Sequence, residues 1–168
     1  MAAIQSILVP IDGSTPSLAA LDHAIAVAED TGATITILHV DVDEEFRVGS
    51  TSPLAARQRE ELDDALEQAI RGAQIDLGDR ARRLDIIGDQ LRTILETAGA
   101  GPYDLIVMGT HGRSGRLRSM LGSVAEGIVR NAPCPVLTVR ETSQGYQSFA
   151  ERRHGRPTVA EQAEHRPH

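Results

Sequence analysis

Residues 104–123 read Asp-Leu-Ile-Val-Met-Gly-Thr-His-Gly-Arg-Ser-Gly-Arg-Leu-Arg-Ser-Met-Leu-Gly-Ser. Asp104 to Met108 carries four consecutive apolar residues, the pattern of a strand buried on both faces, opened by Gly101-Pro102 and closed by Gly109. A glycine-punctuated stretch runs on to Gly122. Ser123 with Glu126 then has the S-x-x-E form of a capping box, which predicts a helix starting near Ser123 and running through Arg130. Strand, glycine loop and helix in that order make one βα unit of a parallel sheet.

The same alternation extends to both sides. Toward the N-terminus, Ile7-Leu8-Val9 is a short apolar run closed by Pro10 and the turn residues Asp12-Gly13-Ser14. Leu18, Leu21, Ile25 and Ala28 then share one helical face, and Gly32 supplies the stop. Thr34 to Val40 is rich in β-branched residues and predicts a second strand; Leu62, Leu66, Ala69 and Ala73 mark one face of a long helix. Arg83 to Ile87 predicts a weaker third strand, followed by a short helix with Leu91, Ile94, Leu95 and Ala98. Beyond the opening unit, Pro135 to Val139 predicts a fifth strand. Strands separated by helices need right-handed crossovers, so the expected fold is an open five-stranded parallel α/β sheet with helices on both faces. The expected organisation is a domain over 1–140 and a polar C-terminal tail over 141–168, where four Glu balance four Arg and the apolar periodicity stops.

Composition narrows the function. The 168 residues carry a net charge of −7, and aromatics make up only 2%. That charge opposes lasting contact with phosphate backbones or anionic membranes, and stacking platforms for single strands are missing, so neither nucleic acid nor membrane is an expected partner. All 17 basic residues are Arg, which removes the P-loop lysine, the kinase lysine and Schiff-base chemistry. A lysine-free acidic surface suits a salt-rich cytoplasm, and GC-rich coding favours arginine equally. Cys134 is the single cysteine, flanked by Pro133 and Pro135, and reads as a small buried hydrophobe. No signal peptide or apolar span of about 18 residues is seen, which gives a cytoplasmic expectation.

Open parallel sheets bind ligands beyond the carboxyl ends of their strands, where strand order reverses. Two segments suit that place: Val9-Pro10-Ile11-Asp12-Gly13-Ser14 and the stretch from Gly109 to Ser123. Glycines after a strand let backbone approach a ligand, and a helix start presents unpaired N–H groups to an anion. Arg113, Arg116 and Arg118 would add charge-assisted bonds to phosphate. A ligand-free glycine loop with Ser123 as a simple cap explains the spacing as well. His111 has no carboxylate placed to orient it, His154, His165 and His168 lack metal spacing, and the run Asp41 to Glu45 reads as a solvated loop. No metal site of the protein's own is expected.

The chain resembles the universal stress protein family across residues 4–140. Gly109, Gly112, Gly122 and Ser123 complete the family's nucleotide signature G-x2-G-x9-G-[ST], while Ile7 to Ser14, Asp104 to Gly112 and Ala132 to Arg140 are similar to its first, fourth and fifth strands. The resemblance implies a Rossmann-like, adenine nucleotide alpha hydrolase-like fold with sheet order 3-2-1-4-5, and an ATP-binding stress-response function with slow or no hydrolysis. In the family's ATP-binding branch, Pro10, Ile11 and Asp12 match the loop that holds adenine and ribose, with Asp12 at the ribose hydroxyls. Val40 matches an adenine contact. Met108 and Gly109 would flank the nucleoside, Gly112 would approach the phosphates, and Gly122, Ser123 and Val124 would hold them. The implied ligand is ATP, or AMP or ADP, with Mg2+, and the implied assembly a homodimer through the edge strand Pro135 to Val139. A nucleotide-hydrolysing or phosphotransfer enzyme and a nucleotide-independent interaction module are the alternatives. No catalytic residue is assigned.

Overall fold

The computed structural model describes residues 4–42, 53–110 and 121–140. The expected tail, Gly112, Arg113 and His111 lie outside them. Strand β1 (Ser6–Pro10) leads to helix α1 (Thr15–Thr31), then β2 (Thr34–Asp41) and α2 (Pro53–Leu77). A 3-10 turn at Gly78–Arg80 precedes β3 (Ala81–Ile87), followed by α3 (Gln90–Ala100), β4 (Leu105–Gly109), α4 (Ser123–Asn131) and β5 (Val136–Val139). All pairings are parallel and the order is β3-β2-β1-β4-β5, as the resemblance implied.

Local chemistry sets the element ends. Ser14 is the N-cap of α1, with Pro16 in the first turn, where a missing N–H costs no helical bond. Gly32 ends α1 at φ +76°, its amide bonding the Ala28 carbonyl oxygen. Asp89 caps α3 by accepting the Arg92 amide at 2.9 Å. Asp104, just before β4, accepts the amides of Gln5 and Ser6 at 2.9 and 3.0 Å, which ties β4 to the start of β1.

Two aliphatic layers clasp the sheet. One joins Ile7, Val9, Ile35, Ile37 and Val107 to Leu18, Leu21 and Ile25 of α1 and to Leu66, Ile70 and Leu77 of α2. The other joins Leu8, Leu38, Ile106 and Met108 to Ile94 and Ala98 of α3 and Ala125 and Ile128 of α4. The central strand is buried through Ile7–Pro10, as two-sided cover requires. The third strand departs from that expectation. It starts two residues earlier than the sequence pattern predicts, at Ala81, and alternates between half-buried and exposed positions because it is an edge. Arg83 there pairs with Asp85 at 2.6 Å and with Glu67 of α2 at 2.7 Å, and both carboxylates raise the guanidinium pKa. A charged edge of this kind resists pairing with another chain. The other edge, β5, begins at Val136 rather than Pro135, since proline has no amide to give the ladder.

Candidate functional site

β1 and β4 are neighbours, yet their register covers only Ile7–Leu105 and Leu8–Ile106. By contrast, β1–β2 pairing continues to Pro10–Leu38 and β4–β5 pairing to Gly109–Val139. The two central strands therefore part at their carboxyl ends, and a cleft of about 280 Å3 opens between them. That volume lies near the lower end of small-molecule sites, roughly 300–1,000 Å3.

Pro10, Ile11 and Asp12 reach the cleft from the end of β1, Val40 from β2, and Met108 and Gly109 from β4. Gly122, Ser123 and Val124 reach it from the start of α4. These are nine of the sequence-derived candidates, brought together at one place; Gly112 and Arg113 fall outside the described residues. Sequence reasoning missed Ser17, Leu38, Gln90, Ile94, Thr110 and Ala125, which also line the cleft. Leu38, Ile94 and Ala125 look like ordinary core positions until the strands part. For Gln90 and Ser17 no pattern in the sequence marks the role.

The loop after β1 is held by its own side chains. Asp12 Oδ1 accepts the Ser14 amide at 3.0 Å and also the Ser14 hydroxyl, closing an Asx-turn. Ser17 Oγ accepts the Asp12 amide at 3.3 Å and donates to the Ser14 carbonyl oxygen at 2.8 Å. Gly13 sits at φ +82°, and a side chain there would collide with the Leu62 carbonyl of α2. The loop is thus pressed between α2 and the cleft.

Gly109 has a different reason from the one its place in the motif suggests. A Cβ built on it would lie 2.7 Å from the Pro16 carbonyl carbon and 2.9 Å from both Pro16 Cβ and the Pro16 carbonyl oxygen. Its missing side chain seats the first turn of α1 against β4.

Thr110, buried at 2% exposure, extends β4 by one useful peptide. Its amide donates to the Val139 carbonyl oxygen at 3.0 Å, and its own carbonyl oxygen accepts the Gly122 amide at 2.8 Å. One residue therefore fixes the start of α4 to the sheet. The capping-box expectation is corrected here: the N-cap is Gly122, not Ser123, and no side chain caps the helix. Ser123 is already helical, so its hydroxyl is not placed as a cap, and Glu126 turns instead to Arg130 at 2.9 Å. The first intrahelical bond runs from the Glu126 amide to the Gly122 carbonyl oxygen. The amides of Ser123, Val124 and Ala125 precede it and meet the cleft, with the positive end of the helix dipole behind them.

The same cleft is lined by the apolar side chains of Pro10, Leu38, Val40, Ile94 and Met108. Asp12 is the one titratable side chain among its described residues. Cys134 stands apart, packed against the second core layer, and burial followed by the nearby Asp104 charge pushes its thiol pKa up. It is half-buried rather than buried as the sequence context suggests, and packs on the core as a small apolar group. No group of three or more metal-ligating side chains occurs among the described residues.

A sheet of this order, with its cleft where β1 and β4 part, defines the adenine nucleotide alpha hydrolase-like class of α/β folds. The chain belongs to the universal stress protein family, whose sequence profile matches residues 3–140. A universal stress protein of Methanocaldococcus jannaschii is 36% identical over 141 residues, covering 82% of each chain. Among solved structures, UspA from Lactobacillus plantarum gives a TM-score of 0.66 at 29% identity, over 83% of this chain and 100% of that one. A universal stress protein solved in complex with cAMP gives 0.58 at 27% identity, over 82% of this chain and 98% of the other. No helix among the described residues is long and apolar enough to cross a membrane.

Proposed function

We propose that the cleft binds an adenine nucleotide, ATP or its AMP or ADP relatives, as a ligand or switch in a stress response, with slow or no hydrolysis. The observation that carries this reading is the uncapped start of α4 lining the same cleft as a set of apolar side chains. Three helix-start amides with no intrahelical partner suit a phosphate group. The recess between Val40, Ile94 and Met108 suits a flat base, and Asp12, at the loop between them, suits ribose hydroxyls. Gly112 belongs with the phosphates by its place in the signature, and Arg113, next to it in sequence, would add a charge-assisted bond. The relative solved with cAMP supports the same ligand class.

The residues fit a nucleotide better than they fit a hydrolase. Asp12, the one carboxylate described at the cleft, already accepts two bonds from Ser14, so it is poorly placed as a general base. Mg2+ would be held mainly by phosphate oxygens and water, as that ion prefers. Calorimetry with ATP, ADP, AMP and cAMP tests the reading against Gly122→Val. The backbone at Gly122, φ −60° and ψ 154°, is one that valine adopts, so the variant should fold while its side chain crowds the helix start. Wild-type binding no tighter than that of the variant overturns nucleotide binding. Steady phosphate release that Asp12→Ala abolishes, with binding retained, replaces the ligand reading by an enzymatic one.

The same reading includes a homodimer across β5, an edge of the sheet among the described residues, on which Leu137 is 39% exposed. Sedimentation at micromolar concentration should give a dimer that Leu137→Glu splits. A wild-type monomer refutes it.

A further inference from the structure

We propose that Gln90 reads the base: its carboxamide accepts a hydrogen bond from the 6-amino group of adenine and donates to the adjacent ring nitrogen. This rests on the nucleotide reading above and adds the residue that selects the base. Gln90 is the first residue of α3 and lines the cleft one helical turn before Ile94, on the same helix face. The Gly88 amide bonds the Asp41 carbonyl oxygen at 2.9 Å, which brings the start of α3 to the end of β2, next to Val40.

The place is rigid. Asp89 accepts the Arg92 amide at 2.9 Å, and the Thr93 amide bonds the Asp89 carbonyl oxygen at 2.9 Å. Gly88 is so close to Thr93 that a Cβ would come within 2.7 Å of its hydroxyl. The Gln90 carboxamide, half-buried, makes no hydrogen bond to the described residues. A group with two donors and one acceptor is thus held, unused, beside a wall of otherwise apolar side chains. Adenine offers a donor and an acceptor side by side, its 6-amino group and the adjacent ring nitrogen, and a carboxamide meets both at once.

The test compares AMP with purine riboside 5′-monophosphate, which differs only in lacking the 6-amino group, on wild type, Gln90→Leu and Gln90→Glu. A paired carboxamide gives wild type a preference for AMP of roughly 5- to 150-fold. Gln90→Leu should narrow that ratio towards one by weakening AMP alone, since the phosphate and ribose contacts are untouched. Gln90→Glu keeps the acceptor for the amino group and should retain part of the preference. A Gln90→Leu protein that melts like wild type and keeps the full ratio overturns the proposal while leaving nucleotide binding intact. Wild type that binds neither compound overturns both.

Discussion

Replacing Gly109 by alanine separates two reasons for a glycine at the end of β4. If it is kept so that a ligand can approach, alanine should weaken binding and leave stability alone. The geometry points to the opposite result. The added methyl would lie 2.7 Å from the Pro16 carbonyl carbon, whereas carbon atoms rest about 3.5–4.0 Å apart, so β4 and the first turn of α1 must separate by close to an ångström. The methyl and the Pro16 carbonyl and ring Cβ that it meets are all fixed to the backbone, and no rotamer change relieves the contact. Overpacking of this kind costs roughly 1–3 kcal/mol, and a backbone collision belongs in the upper half of that range. With a urea m-value of about 2 kcal/mol/M, the unfolding midpoint should fall by about 1 M. Gly99→Ala is the control: Gly99 is exposed near the end of α3 with nothing within 4 Å of a built Cβ, and alanine there should raise stability by up to about 1 kcal/mol. A Gly109→Ala midpoint indistinguishable from wild type, with nucleotide affinity lost, would refute the packing argument.

Asp12→Ala strips the Ser14 amide and hydroxyl of their acceptor at a residue only 7% exposed; the expected loss is about 1–3 kcal/mol, and Asn should recover most of it. An alanine variant with wild-type melting contradicts the Asx-turn as a stabilising element. The Cys134 thiol should alkylate slowly, with a pH midpoint above the ordinary thiol value, because burial and Asp104 disfavour its thiolate. The unfolded chain sheds that proton first as pH rises, so this group's contribution to stability is intact below the ordinary thiol range and declines above it. A midpoint at or below that of a small-molecule thiol shows the burial argument to be wrong.

Much of the architecture is legible in the sequence, because buried parallel strands leave contiguous apolar runs and each helix a periodic face. The order of elements and the fold class follow from such local signals, and so do the two loops at the strand ends, whereas Val40 and Met108 enter the site only through the family resemblance. Three features do not. Gly109 carries the same letter whether it serves a ligand or a neighbour, and only the approach of Pro16 decides between them. Ser123 and Glu126 have the spacing of a capping box, yet the bond from the Gly122 amide to Thr110 pins the chain so that the helix begins one residue away from that arrangement. Gln90 enters the cleft because the start of α3 is folded over the end of β2, a tertiary fact with no sequence period. The third strand is faint for a related reason: an edge need not be apolar, and Arg82, Arg83 and Asp85 say more about solvent than about the sheet.

The short register between β1 and β4 has a mechanical side. Two rungs make a seam down the middle of the sheet, with the halves fully laced on either flank. Helix α1 leaves the β1 half and lies against β4, which makes it the splint across that seam, and its tip rests on Gly109. Disturbance at that seat would let the halves gape before either one frays, so hydrogen exchange at the Asp104 amide, bonded to the Ser6 carbonyl oxygen across the seam, should quicken ahead of exchange along β2.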